Sequence, residues 1–373
     1  MLKKIKQIID TYNIGNEIGN PPWSYYLIKN LEEKKYPLYL AKLFYLNTGE
    51  RLPLRHGVID KKKLKTFNQK IQWIKLYGVT DLMRDCTDKV KVRDYVKEKI
   101  GEEYLKPVLQ IIPNESHETV HCHCEQVNDN SGLARQSKDI CQNTPDCHDT
   151  QNEVVSRNDR ESNAVSNYFD KIDFDKLSKS FVIKTNHGSK WHYIIKDREK
   201  FLQNERLFNI VKRNITGWLE QEYWVWNGFE MNYRNIEPKI LIEPLLRDEI
   251  NTEPIKINVY CFNGVPEIFI RFYDSNKMNI YDKNFEPMDN IFNFAEENIK
   301  CETGNIINQK KISLEEISRL SKQLAKDFCF VRVDWMIYQN KLYFEELTFT
   351  PYSGFHNFEK PEYNLKLGEL MNI

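Results

Sequence analysis

Charged side chains alternate with apolar ones in the stretch FVRVDWMIYQNKLYFEELTF, near the C-terminus. The alternation predicts a β-hairpin, and it places Arg332 and Asp334 on one face of the first strand. Glu346 and Thr348 share one face of the second strand. A carboxylate from each strand, held close together, is a donor set that suits Mg²⁺, which takes hard oxygen ligands and commonly shares them with substrate phosphates.

The length of the turn decides which carboxylates meet. A three-residue turn sets Asp334 opposite Glu346, whereas a two-residue turn sets it opposite Glu345. Carboxylates directly opposite one another repel, and a divalent cation between them removes the repulsion. The stretch therefore predicts either a magnesium site or a hairpin whose charges face the solvent, and the sequence favours neither.

A second polar cluster lies in the segment KSFVIKTNHGSKW, residues 179–191. Its apolar run FVIK predicts a strand, on which Lys184 projects to the same side as Val182. The loop that follows offers backbone N–H groups around Gly188, and a lysine beside such a loop suits a phosphate. The pattern GxxxxGK[ST] of a Walker loop is absent, and a strand follows where a helix would be needed. Taken alone, the segment favours a polar hairpin turn over a phosphate site.

The apolar run KILIEPLL, residues 239–246, predicts a strand that contains Glu243 and Pro244 near its end. It is either an edge strand or a hinge whose exposed backbone contacts a flat heterocycle. Together the three stretches contain phosphate donors, a carboxylate pair and a connecting strand. That set is typical of an enzyme that transfers a group with the help of a nucleotide.

Periodic apolar positions indicate the elements that hold these stretches. Helical spacing is found in four segments, which are residues 23–50, 65–77, 86–101 and 314–328. Strands are predicted at FVIK, at WHYIIK, over KILIEPLL, and in two hairpins, IKINVYCF with VPEIFIRFY and VRVDWMI with KLYFEELTF. This mixture of helices and antiparallel strands predicts an α+β fold.

Residues 114–166 interrupt this pattern. They contain no aromatic residue, although aromatic residues make up 13% of the chain, and acidic residues outnumber basic ones. Such a segment buries too little apolar surface to offset the entropy of ordering, so we predict a disordered insert. Its HCHC run, with Cys141, Cys147 and His148, offers soft metal ligands, but their spacing fits no CxxC-type zinc site. A solvated insert is therefore favoured over a metal site.

Composition excludes several classes of protein. Lys and Arg together number 54, as do Asp and Glu, and a chain without excess positive charge is not expected to bind nucleic acid. No apolar stretch is long enough to span a membrane, and the first residues, MLKKIKQIIDTYN, lack the apolar core of a secretory signal. These features predict a soluble, cytoplasmic protein, whose oligomeric state stays open.

Seven motifs, taken in order, resemble the TupA-like ATP-grasp family, whose members are associated with cell-surface polysaccharide synthesis. The motifs are TFNQKIQWIKLY, DKVKVRDYVKEKIGEEYLKP, IDFDKL, FVIKTNHGSKW, YRNIEPKILIEPLL, CFNG and DFCFVRVDWMIYQNKLYFEELTFTPYSGF. The resemblance covers most of residues 36–370 and implies an ATP-grasp fold, in which two α+β lobes clamp ATP and Mg²⁺ bridges its phosphates. We therefore expect a helical N-terminal extension over 1–64 and an ATP-grasp domain over 65–373, interrupted by the insert 114–166.

The resemblance also implies a role for individual residues. The implied ATP contacts are Lys89, Lys184, Asn186, His187, Gly188, Ser189, Glu243 and Leu246. The implied magnesium ligands are Asp334, Glu346 and Thr348, and the implied catalytic residues are Arg332 and Lys184. Within this set the loop after FVIK covers the β- and γ-phosphates, Glu243 meets the adenine amino group, and Leu246 offers its backbone N–H to the ring.

Several positions depart from the family's motifs. Lys190 replaces the last glycine of NHGSG, and Tyr352 replaces a glycine in TFTPGSGF. Pro244 interrupts the usual Glu-Glu-Tyr-Leu linker, while Lys256 and Asn258 stand where the family has an acidic residue and a lysine. The magnesium ligands are intact, so ATP binding is expected to be retained and the choice of substrate to differ.

The reaction that the resemblance implies joins a carboxylate to an amine. The carboxylate attacks the γ-phosphorus of ATP to give an acyl phosphate and ADP, and the amine then displaces phosphate. A uronic acid and an amino compound are the expected partners, in the synthesis of a cell-surface polysaccharide such as a capsule. Two alternatives stay open, a glycosyltransferase of the same pathway, with its nearest DxD at Asp173-Phe174-Asp175, and an inactive nucleotide-binding module.

Overall fold

The computed structural model describes residues 29–113, 168–226, 228–247, 254–274, 277–293, 300–301 and 313–373. The insert predicted over 114–166, with its cysteine and histidine residues, lies outside the described residues. So do residues 1–28 of the predicted N-terminal extension. In the described part, helices and mostly antiparallel sheets combine into the mixed α+β fold that the sequence predicts.

Helix α1, Tyr36–Thr48, opens the described part of the fold. Pro37 favours its first turn, because the φ angle of proline is already helical. Gly49 ends the helix in the left-handed conformation, with a φ of 72°. Its buried residues recur every four positions, and they include Tyr36, Leu40 and Phe44. The helix predicted over 23–50 thus ends where expected, but a separate 3₁₀ turn at residues 33–35 interrupts it, and residues 23–28 lie outside the described part.

A two-stranded ribbon follows α1, in which β1, Leu54–Arg55, pairs with β2, Val58–Ile59. Together with α1 it packs on an apolar segment that includes Trp224 and Phe229. This N-terminal segment is therefore attached to the rest of the fold through a shared apolar cluster.

Helix α2, Phe67–Trp73, begins with a capping box. The Thr66 side chain accepts a hydrogen bond from the backbone of Gln69, and the Gln69 side chain accepts one from the backbone of Thr66. The chain then continues into a π-helical turn, Ile74–Gly78. The helix predicted over 65–77 is confirmed.

The helix predicted over residues 86–101 ends at Gly101 as expected but begins later, because the segment starts with the last residues of a separate helix and a break at Asp88. The first helix, α3, is Asp81–Thr87, and the second, α4, is Val92–Ile100. Asp88 is extended, with a ψ of 116°, and its carboxylate accepts a hydrogen bond from the backbone N–H two residues later at 2.8 Å. This local bond competes with helix continuation. The break places Lys89 at the edge of the cleft described below.

A four-stranded antiparallel sheet forms the smaller lobe. Its strands are β3 Gln110–Ile112, β4 Phe181–Thr185, β5 His192–Ile195 and β6 Ile240–Pro244. The spatial order is β3-β6-β4-β5, so β6 and β4 form the centre. Two helices complete the lobe, α5 Arg198–Gln203 and α6 Glu205–Leu219, and α6 shares an apolar core with β4 and β6.

A second sheet forms the larger lobe. Its strands are β7 Ile255–Phe262, β8 Val265–Asp274, β9 Lys277–Asp282, β10 Pro287–Met288, β11 Lys300–Cys301, β12 Phe330–Tyr338 and β13 Lys341–Thr348. The spatial order is β10-β9-β8-β7-β12-β13, and β11 pairs with β9 in parallel. Both predicted hairpins, β7–β8 and β12–β13, are confirmed.

Two helices support the larger sheet. Helix α7, Leu314–Ala325, packs its apolar face on the sheet, and α8, Pro361–Leu370, packs on α2. The two lobes meet along one cleft, where β4 and β6 face β12 and β13. Among the residues that the structure describes, no helix has both the length and the apolar character to cross a bilayer.

Candidate active site

The turn between β12 and β13 has two residues, Gln339 and Asn340. Both are left-handed, with φ of 49° and 58°, as in a type I′ hairpin. With a regular ladder this turn would set Asp334 opposite Glu345. A β-bulge directly after Asp334 shifts the register by one residue, so that Asp334 pairs with Glu346. The two registers that the sequence left open therefore both occur, one on each side of the bulge.

The bulge brings two neighbouring carboxylates into the cleft. In a regular strand Glu345 and Glu346 would point to opposite faces. Here both line the cleft, since a bulge redirects the side chains around it. Glu345 Oε1 lies 3.0 Å from the Nζ of Lys106, and Glu346 faces Asp334.

Arg332 lies at the centre of a polar cluster on β12 and β13. Its Nε donates to Asp334 Oδ1 at 2.7 Å, and its Nη2 donates to Oδ2 at 2.5 Å. Nη2 also donates to the hydroxyl of Thr348 at 3.2 Å, and that hydroxyl donates to Glu346 Oε1 at 2.9 Å. One guanidinium thus fixes a carboxylate through two parallel bonds and holds the second through a hydroxyl.

The two facing carboxylates differ in their acidity. Burial raises the pKa of Asp334 to about 7, although the neighbouring Arg332 lowers that pKa. The Glu346 carboxylate raises the pKa of Asp334 further. Burial alone would also raise the pKa of Glu346, but Arg332 and Lys89 outweigh burial and lower that pKa. Glu346 is therefore the more acidic member of the pair.

A second charged cluster joins the two sheets. Glu243, on β6, binds Lys184 at 2.7 Å and Lys106 at 3.2 Å, both through Oε2. Lys106 also binds Glu345, on β13, at 3.0 Å, and its side chain is only 8% exposed. A buried lysine therefore bridges the lobes. The sequence analysis missed Lys106, because EEYLKP shows only a lysine before a proline and its partners lie far along the chain.

Glu243 is expected to make the fold sensitive to acid. Burial would raise its pKa, but Lys184 and Lys106 outweigh burial and lower the pKa to about 2, from 4.5. A carboxyl group whose pKa falls on folding stabilises the fold above its unfolded pKa, and this stabilisation is lost as the pH falls through the folded pKa. We therefore expect the parent to lose stability relative to Glu243→Gln as the pH is lowered. The difference in unfolding free energy between the two proteins should change by about 3 kcal/mol between pH 5 and pH 2.

Urea unfolding of the parent and of Glu243→Gln at several pH values measures this difference. Carboxyl groups that share no lysine with Glu243 titrate equally in both proteins and cancel, which leaves Glu243 and its neighbour on Lys106, Glu345, as the source of the difference. A difference that stays constant over the same pH range contradicts the ion pairs of Glu243.

The loop after β4 is anchored to the break between α3 and α4. Asn186 is fully buried, and its side chain donates to Asp88 Oδ1 at 2.9 Å and accepts from Lys239 N at 2.7 Å. The Nζ of Lys89 donates to the carbonyl oxygen of Gly188. These contacts place Lys89 directly against the loop.

The side chain of His187 lies outside the cleft lining. Its Nε2 is 3.0 Å from the carbonyl oxygen of Trp218, and burial lowers its pKa to about 4, so the imidazole is neutral at pH 7. Gly188 has no room for a side chain, because a Cβ would lie 2.3 Å from the ring of Trp191. The donors that this loop offers to a phosphate are therefore its backbone N–H groups and Ser189, which lines the cleft.

Lys190 occupies a left-handed backbone position, with a φ of 62°. In this conformation a residue with a Cβ is destabilised by about 1–2 kcal/mol relative to glycine. Part of this difference is offset, because glycine has greater conformational freedom in the unfolded chain. We expect Lys190→Gly to raise the unfolding free energy by about 0.5–1 kcal/mol, as measured in urea. Lys190→Ala keeps the Cβ and is the matched control. An equal gain in Lys190→Ala would assign the effect to the lost charge and not to the backbone.

The cleft between the lobes has a volume of about 520 Å³. Eight residues with a role implied by sequence line it, and they are Lys89, Lys184, Ser189, Glu243, Leu246, Arg332, Asp334 and Glu346. The described lining does not include Asn186, His187, Gly188 or Thr348. Further cations, among them Lys106, Lys190 and Lys256, also line the cleft, so it combines many positive charges with a carboxylate pair.

This geometry can be compared with known proteins. A family model described as TupA-like ATPgrasp matches residues 152–372, more than half of the chain. The chain belongs to this family. The resemblance seen in the motifs is confirmed over the matched residues, whereas Lys89 and Lys106 lie before them.

Solved structures of ATP-grasp ligases are similar at low identity. D-alanine–D-alanine ligase from Bacillus anthracis, complexed with ATP, is 12% identical with a TM-score of 0.32, over 78% of this chain and 64% of that one. D-alanyl-alanine synthetase A from Vibrio cholerae is 12% identical with a TM-score of 0.31, over 81% and 70%. The chain thus spans less than two thirds of the first of these ligases. No curated protein sequence matches the chain.

ATP-grasp enzymes typically use ATP and Mg²⁺, and the cleft of this family member fits ATP. Its lysine and arginine side chains suit a triphosphate. At the other end, Leu246 lines the cleft and its backbone N–H makes no hydrogen bond within the described part of the chain. Glu345 Oε2 is buried there without a hydrogen-bond partner among the described residues. Such unused polar groups beside a cavity are typical of a ligand site.

The carboxylate pair also fits Mg²⁺. No group of three or more His, Cys, Asp or Glu side chains in the described ranges is arranged to hold a metal ion. Asp334 and Glu346 therefore supply two ligands at most, and Mg²⁺ commonly completes such a set with phosphate oxygens and water. Both oxygens of Asp334 are bonded to Arg332, so a metal would have to share or replace that contact.

Proposed function

We propose that this protein is an ATP- and magnesium-dependent carboxylate–amine ligase. The observation that carries the proposal is the facing pair Asp334 and Glu346, held by Arg332 in the same cleft as Lys184. These side chains lie on strands of two lobes, and they combine two carboxylates that suit Mg²⁺ with cations that suit a phosphate and a carboxylate. Rigid strands position such groups well for transfer chemistry.

In the proposed reaction, an oxygen of the substrate carboxylate forms a bond to the γ-phosphorus of ATP, and the bond to ADP breaks. An amine nitrogen then forms a bond to the acyl carbon, phosphate leaves, and the nitrogen loses a proton as the amide forms. Mg²⁺, when bound, neutralises charge on the phosphates. The scheme needs no covalent intermediate on the protein.

The chain's own residues position the reactants and neutralise charge. Lys184 and Lys89 bind phosphate oxygens through Nζ. Burial lowers the pKa of Lys89 to about 8, which leaves it mostly charged at pH 7. Arg332 orients the substrate carboxylate and stabilises the negative charge that develops on the acyl oxygen when the amine attacks.

We place the adenine against the backbone of residues 244–246 and not against the carboxylate of Glu243. That carboxylate already binds two lysines through Oε2. Pro244 lacks an N–H but keeps its carbonyl as an acceptor, and Leu246 has an N–H that is not used within the described residues. A carbonyl and an N–H are the two groups that an adenine edge requires.

The family's association with cell-surface polysaccharides supports a uronic acid as the carboxylate and an amino compound as the amine. The glycosyltransferase alternative gains no support from the fold. Its candidate Asp173 lies in a turn beside the 3₁₀ segment Phe174–Lys176, pairs with Lys176 at 2.8 Å, and does not line the cleft.

The test is ADP and phosphate release by the purified protein with MgATP, over a panel of uronic acids combined with amino acids and amino sugars. We expect release only when a carboxylate and an amine are both present, together with an amide product detected by mass. Consumption of a nucleotide sugar, or ATP binding without turnover under any combination, would overturn the proposal.

A further inference from the structure

A second cavity, of about 630 Å³, adjoins the cleft. Tyr352 lines both, so the two spaces meet at this residue. Polar groups also lie between them, because Tyr260 interacts electrostatically with Arg332 and its hydroxyl lies 3.5 Å from Nε2 of His356. His356 lines the second cavity. One buried tyrosine therefore separates the cluster around Arg332 from this cavity.

The lining of the second cavity is polar but carries little charge. Asparagine and threonine side chains supply amides and hydroxyls, and the rings of Tyr352, Phe355 and Phe358 supply flat apolar surface. No lysine or arginine is among the described residues that line it, and Glu50 is its one carboxylate there. The cleft, by contrast, is rich in cations.

Glu50 is fixed by neutral donors. Its Oε1 accepts a hydrogen bond from Asn364 Nδ2 at 2.7 Å, and its Oε2 accepts one from the hydroxyl of Thr66 at 2.8 Å. No lysine or arginine in the described part of the chain forms an ion pair with it. Each oxygen keeps a further lone pair. A fixed carboxylate with no cation beside it favours an ammonium group as its ligand.

We propose that this cavity binds the amine substrate, a compound that carries an ammonium group on a hydroxylated or amide-bearing body, such as an amino sugar or an amino acid. The proposal rests on the proposed ligase function. The two spaces divide the substrates by charge, since the carboxylate is attracted to Arg332 and the ammonium group to Glu50. The volume lies within the range of small-molecule sites, and the rings suit the apolar face of a sugar or a cation.

Tyr352 stands at the junction of the two spaces with a φ of 50°, where the family's motif has glycine. Its ring therefore borders both spaces, and we expect it to influence which amine reaches the cleft.

Direct binding is the first measurement. The full-length protein is titrated with D-glucosamine and with L-serine, and binding is detected by saturation-transfer NMR. N-acetyl-D-glucosamine, which has no ammonium group, is the control ligand. We expect saturable binding of at least one of the two amines, weaker by about tenfold or more in Glu50→Gln. Binding of neither amine, or equal binding by Glu50→Gln, overturns the proposal.

Kinetic measurements then distinguish a loss of amine binding at Glu50 from a loss of acyl phosphate formation. Hydroxylamine is small and already neutral at pH 7, so it intercepts an acyl phosphate without using Glu50. We expect Glu50→Gln to raise the KM for the amine about tenfold or more, while hydroxamate formation and the KM for ATP stay unchanged. Glu359→Gln, an exposed residue on the segment before α8, is the matched control.

Two outcomes distinguish the possible failures. Equal losses of hydroxamate and amide in Glu50→Gln assign Glu50 a structural role and overturn the amine site. Absence of hydroxamate from the parent, with every carboxylate tried, overturns the ligase function, while the NMR titration still decides whether the cavity binds amines.

Discussion

Replacing Glu346 with glutamine is expected to lower magnesium-dependent ATP turnover by about 100-fold or more. Glutamine keeps the size of the side chain and can still accept the hydrogen bond from Thr348, but it removes the charge that faces Asp334. Because Asp334 has both oxygens on Arg332, Glu346 carries most of the negative charge available to a metal. ADP release at saturating ATP, measured over a range of magnesium concentrations, tests this prediction.

The matched control is Glu286→Gln, an exposed glutamate in the turn before β10 of the same sheet. It should leave turnover unchanged. Glu346→Gln should also keep its affinity for ATP without magnesium, since Lys89 and Lys184 remain in the cleft. Turnover of Glu346→Gln within about twofold of the parent would contradict the assignment of the metal site.

The sequence predicted the β12–β13 hairpin and the shared face of Arg332 and Asp334, because alternation is a local property of a strand. It could not decide between Glu345 and Glu346 as the partner of Asp334. The turn has two residues, which in a regular hairpin would pair Asp334 with Glu345. The bulge shifts the register by one residue, so that Asp334 pairs with Glu346 instead. A bulge depends on how both strands pack in the sheet, and no residue type near Asp334 predicts one.

Contacts between distant parts of the chain were also beyond the sequence. The motif NHGS suggests four donors to a phosphate, but Asn186 and His187 bond to Asp88 and to the carbonyl of Trp218. Asp88, whose local bond ends the first helix, also accepts a hydrogen bond from Asn186 across the loop, a contact that no local pattern indicates. Local patterns predicted which elements form, whereas these partners are set only when the lobes assemble.

Replacing Lys106 with methionine is expected to lower the free energy of unfolding by about 3 kcal/mol or more. The lysine side chain is 8% exposed and binds Glu243 and Glu345. Without it, Glu243 keeps Lys184, but Glu345 loses the only cation paired with it among the described residues. Its Oε2 already lacks a hydrogen-bond partner in that part of the chain. The Glu345 side chain is 28% exposed, and a half-buried carboxylate without a partner is costly, so we expect much of the loss to arise at Glu345.

The double variant Lys106→Met/Glu345→Gln tests where the cost arises. If it comes from the charge left on Glu345, the double variant is more stable than Lys106→Met by about 1 kcal/mol or more, and the two substitutions are not additive. Lys256→Met, at an exposed lysine that also lines the cleft, is the matched control and should cost less than about 0.5 kcal/mol. Urea unfolding at pH 7 measures all of these variants. A cost for Lys106→Met no larger than that of Lys256→Met would mean that the lobes are not joined through a buried ion pair.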